Sequence, residues 1–305
     1  MSLFFNSKKF YKPGPGVEKD EPQKIAPVRF FELFGRKFWK YIELNLVYFL
    51  ILLPIILYIY TFIYQSSFQA LESAGIVLGD FYTLILHLAM MYFEYVPVFI
   101  QIILLIASVI CYGPAKAGMT YVLRNFTNER HSWLSDMFDK AKENFRQGLF
   151  FGILDIIVYL VVFYNLAYAN GEGMMRIAKY LSILFFVFYG FMKRYIYQMI
   201  VTVNLSVFDI FKNAWLLAFI GIFRNVGVSI VNGLIWVGTI ILIVTFSMLE
   251  IPILACLIFS FTSYLGVFAT YPLIRKYLVD PILAQQEGET SESVTDEITN
   301  FDENN

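Results

Sequence analysis

The sequence predicts an all-α fold: a polytopic membrane bundle of about six transmembrane helices, with amphipathic helices on its cytoplasmic surface. Three observations predict it. Hydrophobic residues are 58% of the 305 and charged residues only 15%, with a mean hydropathy of +0.63, against about 45–50% and about 25% in an average soluble domain. Six apolar runs approach the roughly 20 residues that cross a hydrocarbon core. Lys and Arg gather on one side of those runs. The same composition argues against a disordered chain. Two Cys are too few for a disulfide-stapled domain, and a net charge of −1 is wrong for a nucleic-acid binder.

The elements follow in order. Residues 1–27 read as a cytoplasmic Pro/Gly leader containing Pro13-Gly14-Pro15-Gly16. The many Lys and Arg before residue 41, with no short apolar core and cleavage site, do not match a signal peptide. Residues 28–43 read as a basic amphipathic helix in the headgroup region. Phe30, Phe34, Phe38 and Ile42 recur at helical spacing, with Arg29, Arg36, Lys37 and Lys40 supplying the charge. A six-span membrane domain over 44–279 comes next. Its first span is Leu44–Tyr64, free of charge and containing Pro54. The second lies in Phe81–Gly113, where His87 and Glu94 leave Tyr95–Gly113 as the clean part.

A surface helix is expected over 133–146, capped by Ser132, with Leu134, Phe138, Ala141 and Phe145 as its apolar stripe. The third span, Gln147–Gly171, contains one charge, Asp155. The fourth, Ile177–Val203, contains Lys193 and Arg194, which are expected to snorkel to the nearer surface. Val207–Ala218 is a further surface helix, and Asn225–Leu249 and Ile251–Ile274 complete the six. Residues 280–305 carry eight acids and no Lys or Arg, so they read as a solvated, disordered tail.

Charge orients the bundle. With the N-terminus in the cytoplasm, the inner segments 1–43, 114–146, 193–224 and 275–305 hold all but Arg176 and Lys179 of the 23 Lys and Arg. Five spans would put Arg224 and the Arg275-Lys276 pair on unlike sides. Both termini are therefore expected in the cytoplasm. The chain also shows an order twice: a span, Leu-Ser (134–135; 205–206), an amphipathic stretch, then a span beginning near Gly-Ile (152–153; 221–222). That reads either as a degenerate repeat or as coincidence in a Phe-, Ile- and Leu-rich chain.

Groups suited to catalysis are few. His87 and His131 have no second His, Cys or acid at metal-ligand spacing, and Cys111 and Cys256 stand alone in apolar runs. No His-Glu-x-x-His, Gly-x-Ser-x-Gly or P-loop occurs. The expectation is no catalytic residue, no metal and no cofactor. Polar groups within spans are the functional candidates. Asp155 leads them: it either bonds Asn or Tyr side chains of another span and fixes helix register, or lines a polar path. Asn165, Asn232 and Gln101 are its candidate partners. Gly148-x-x-x-Gly152 and Ser229-x-x-x-Gly233 are small-residue pairs that let helices approach.

One run carries more information. Tyr112-Gly113-Pro114-Ala115-Lys116-Ala117-Gly118-Met119-Thr120-Tyr121 ends a span and continues into a basic stretch, with Lys142-Glu143-Asn144-Phe145 downstream. Pro114 lacks an N–H and bends a helix, while Ala115, Ala117 and Gly118 permit close contact with a neighbour. The run reads as an elbow turning the chain along the inner surface. Together with the leader Phe10-Tyr11-Lys12-Pro13-Gly14-Pro15-Gly16-Val17, it resembles the YesL-like family of bacterial integral membrane proteins, over roughly residues 5–275. That family is uncharacterised and supplies no catalytic residues. Its members' genes often lie beside those of carbohydrate ABC transporters. The resemblance implies a non-enzymatic multi-pass protein of the bacterial cell membrane, accessory or regulatory to carbohydrate uptake. Its partners would be the lipid bilayer and a carbohydrate ABC transporter or sensor component. The alternative is an autonomous small-solute transporter or channel with a polar path near Asp155.

Overall fold

The computed structural model describes residues 25–73, 90–168, 173–245 and 254–285. The leader to residue 24, His87 and residues 286–305 of the acidic tail lie outside them. All regular structure among the described residues is helical, and six helices are long and apolar enough to cross a membrane. The chain divides into two units, residues 1–36 and 37–305.

The first unit contains α1, Ala26–Arg36, with an ion pair between Arg36 and Glu32 one turn apart. The expected amphipathic helix over 28–43 is interrupted at Lys37, and Phe38 already begins α2, which runs to Ser73. The second unit continues with α3 (Val98–Thr127), α4 (Leu134–Glu143), α5 (Phe145–Tyr168), α6 (Met174–Ile200), α7 (Val207–Ile220) and α8 (Ile222–Thr245). Its last helix opens with a π-helical turn, Leu254–Ile258, continues as α9 (Phe259–Ile274), and passes through a second π turn, Arg275–Val279. Residues 280–285 stay helical, so the expected disordered tail does not begin at 280.

The bundle is built around α3, which packs against α2, α4, α5, α6 and α9. Glycine sets its closest crossing. A Cβ on Gly113 would fall on the Gly148 carbonyl oxygen, one on Gly148 would come within 2.8 Å of Pro114 Cα, and one on Gly152 within 2.7 Å of Gly113 Cα. Gly118 meets the Met137 backbone of α4 in the same way. Small residues at these four positions let backbones touch. Pro114 lies inside the helix, which continues to Thr127 before the chain turns through Asn128–Trp133. Glu129 takes a left-handed conformation there (φ 58°), and the Arg130 N–H bonds back to the Asn125 carbonyl, a C-terminal capping arrangement.

Irregular backbone is satisfied by side chains of neighbouring helices, as a lipid environment requires. Ser108 donates to the Ile51 carbonyl three residues before Pro54 (2.5 Å), and Arg224 donates to the Ala269 carbonyl three residues before Pro272 (2.9 Å). Beyond the first π turn, Asn45, fully buried, accepts the Ser260 N–H at 2.7 Å. The main core joins α6 to α7 through Tyr195, Ile196, Met199, Ile210, Ala214 and Leu217. Outside, α3, α5, α6 and α8 present Ile103, Leu160, Leu184 and Leu234, all exposed. Such a belt needs an apolar solvent.

The two surface elements are short helices that break directly into spans. Ser132 does not cap α4; Trp133 does, its N–H held by Asp136 at 2.8 Å while Ser132 donates its hydroxyl to the same carboxylate at 2.7 Å. Those two bonds hold Asp136 below the usual carboxylate range. At α7, Ser206 is the cap and accepts the Asp209 N–H.

Candidate functional site

The site begins with one carboxylate. Asp155 sits on α5 about 15 Å of helix from Phe145, and it is completely buried. The glycine crossing brings α3 against α5 and lays Tyr112 beside it. From α6, Tyr189, Lys193 and Tyr197 arrive on one face, because residues four apart on a helix share a side. Tyr189 donates to Asp155 Oδ1 at 2.6 Å, while Tyr197 and Tyr112 donate to Oδ2 at 2.7 and 3.2 Å. Lys193 Nζ stands 2.8 Å from Oδ2. Its other bonds run to the hydroxyls of Tyr112 and Tyr159, each at 2.7 Å. The rings of Tyr112, Tyr159 and Tyr197 also surround the ammonium within 6 Å.

Every donor of the lysine and both oxygens of the aspartate are thus engaged. A buried carboxylate is tolerated only when paired and hydrogen-bonded, and this one is both. Three helices, α3, α5 and α6, are tied by it at one depth.

The cations nearby are treated differently. Lys193 and Arg194 do not snorkel to a surface. Lys193 turns inward to Asp155, and Arg194 reaches α8, donating to the Asn225 carbonyl at 3.0 Å and to Ser229 at 2.6 Å. Acceptors on neighbouring helices lie within hydrogen-bond distance of both side chains and hold them inside the bundle. Arg124 closes the end of α6 through the Val201 carbonyl and the Thr202 hydroxyl. Lys116, one turn beyond Tyr112, donates to Ser263 of α9 at 2.6 Å and lies over the Tyr48 ring. Among the described residues, none of Lys116, Arg124 and Arg194 forms an ion pair.

The three expected partners of Asp155 lie elsewhere. Gln101 donates to the carbonyls of Phe93 and Val96 at 3.1 and 2.7 Å, tying the helical residues 90–95 to the start of α3. Asn232 makes a long 3.5 Å bond to the Thr262 carbonyl, and its Oδ1 has no partner among the described residues. Asn165 is half-buried further along α5. Glu94 is exposed on the 90–95 segment. Of the elbow residues, Gly113, Pro114, Ala115 and Gly118 are all buried in helix contacts. Tyrosine partners from other spans were expected in kind, and three are found; which tyrosines, and the pairing with Lys193, were not. The spacing Tyr189-x-x-x-Lys193-x-x-x-Tyr197, with an acid in the preceding span, was the available signal. No group of three metal-binding side chains converges among the described residues. The arrangement can hold a fixed ion pair; each carboxylate oxygen already has a partner.

Residues 83–166 match the model of a family described as a protein of unknown function, DUF624. That stretch includes α3, α4 and nearly all of α5, and with them Tyr112, Lys116 and Asp155. No curated protein and no solved structure matches the chain.

Proposed function

We propose that this chain is a non-enzymatic, multi-pass protein of the bacterial cell membrane, accessory or regulatory to carbohydrate uptake. The observation that carries the non-transporting part is the closure of the Asp155 site. A carboxylate that served a moving solute or ion would need an oxygen to offer. Here Oδ1 already accepts from Tyr189, and Oδ2 from Tyr112, Tyr197 and Lys193. The pair acts as a clasp across α3, α5 and α6.

The link to carbohydrate uptake rests on the resemblance to the YesL-like family, whose members carry the matched region. A carbohydrate ABC transporter or sensor component would be met by the surface helices. Phe138 on α4 and Phe208 and Phe211 on α7 are exposed there, and both termini would share that cytoplasmic side. A second reading is an autonomous transporter with a polar path near Asp155, favoured by the unpaired Lys116 beside it.

Purification from native membranes in mild detergent tests the choice. The accessory reading expects a transporter component to co-elute in fixed stoichiometry. A chain that elutes alone and drives uptake in proteoliposomes overturns it, and uptake lost in Asp155→Asn would then place the path.

A further inference from the structure

The two halves of the second unit match in register more closely than in composition. Tyr112-Gly113-x-x-Lys116 on α3 corresponds to Tyr189-Gly190-x-x-Lys193 on α6 at an offset of 77 residues. The same offset pairs Gly148, Gly152 and Asp155 of α5 with Asn225, Ser229 and Asn232 of α8. The structure gives the correspondence physical content. Each half is a span, a short surface helix and a second span, and Tyr112 and Tyr189 both donate to Asp155. One position differs in charge. Each half supplies a lysine, but only the first supplies a carboxylate, because its counterpart on α8 is Asn232.

Lys193 has taken the single acid, so Lys116 is left over. Its one hydrogen bond among the described residues goes to Ser263, against the three an ammonium can make. Lys116 also lies within electrostatic reach of both Lys193 and Asp155. With both lysines protonated, two ammoniums face one carboxylate, an imbalance that is costly in a bilayer.

Depth indicates what would balance it. Val98–Ala115 is an uninterrupted run of 18 residues without charge, about 27 Å of helix, close to the roughly 30 Å of the hydrocarbon core. Lys116 is the next residue, where acyl chains give way to headgroups. Basic pockets between helices at that depth suit lipid phosphates.

We propose that Lys116 and Ser263 form an oxyanion site between α3 and α9 that takes a phosphate group, from a lipid headgroup or from solution. The lysine supplies charge and two remaining N–H donors, and the Ser263 hydroxyl a further one. The Tyr48 ring lies 5.5 Å from the ammonium. The site is independent of the accessory reading and stands if that reading fails.

Thermal unfolding of the purified full chain in neutral detergent tests it, with phosphatidylglycerol and inorganic phosphate titrated separately. A rise in midpoint with phosphatidylglycerol alone assigns a headgroup, with phosphate alone a soluble ligand, and with both a site filled from either source. Lys116→Met is expected to weaken the apparent affinity at least tenfold and Ser263→Ala a few-fold. The exposed Lys212→Met on α7 should respond as the parent does. Lys116→Met removes an unpaired charge, so it should fold at least as well as the parent in neutral detergent, and a lost response is not a lost fold. No shift with either ligand, or a full shift retained in Lys116→Met, overturns the site.

Discussion

At the scale of single residues, Asp155, the one fully buried carboxylate among the described residues, serves cohesion. Removing either member of a buried pair strands the other without compensation, at a cost of about 3–5 kcal/mol. Asp155→Asn and Lys193→Met should each destabilise the fold by that order, read as a lowered unfolding midpoint in mild detergent. The double substitution should recover most of the loss, because a neutral amide among phenols strands no charge. Additive losses in that cycle would mean that the pair is not coupled. The residues on the Lys193 side of this pair were readable as types but not as partners. A basic pair inside an apolar run has two solutions, reaching out to water or inward to an acid. Choosing between them needs the neighbouring helix. Asn232 and Gln101 were plausible by hydrogen-bonding capacity alone; their helical positions send them to other backbones.

At the scale of helices, glycine decides which pairs can close. Gly113 and Gly190 correspond in register, yet a Cβ on Gly113 has no room against Gly148, whereas none is obstructed at Gly190. Gly113→Ala should therefore part α3 from α5 and destabilise by at least about 1–3 kcal/mol, the usual cost of overpacking. Gly190→Ala should be neutral or stabilise by up to about 1 kcal/mol, since alanine is the better helix former. Denaturant or thermal unfolding of the two variants checks the contrast, and equal effects would refute the close-crossing account. The proline in this run illustrates a limit of local reasoning. Pro114 marks a bend by propensity, but where the chain leaves the helix is set further on, at Asn128–Trp133.

At the scale of the whole molecule, the six helices among the described residues that are long and apolar enough to cross a membrane predict an even number of crossings. Single cysteines at Ser7 and Ser293, in a background with Cys111 and Cys256 replaced by Ala, should both be labelled from the same face of sealed vesicles. Labelling from opposite faces would leave an odd number of crossings. The excess of basic residues toward the ends of the helices that meet α4 and α7 predicts that this face is the cytoplasmic one. The repeated order of span, surface helix and span was visible in the chain only as a suggestion. It gains weight from the two tyrosines that approach Asp155 from corresponding positions.

Composition and hydrophobic run length by themselves determined that this is a helical membrane bundle, how many helices are long enough to cross, and roughly where each lies. Those quantities depend on local apolar content, which is additive along a chain. Which charges pair, which glycine is indispensable and which lysine is left without an acid were decided only by the tertiary structure. Pairing depends on rotation and depth of one helix against another, and a shift of one residue, about 100° around the axis, would have given Asp155 a different set of neighbours.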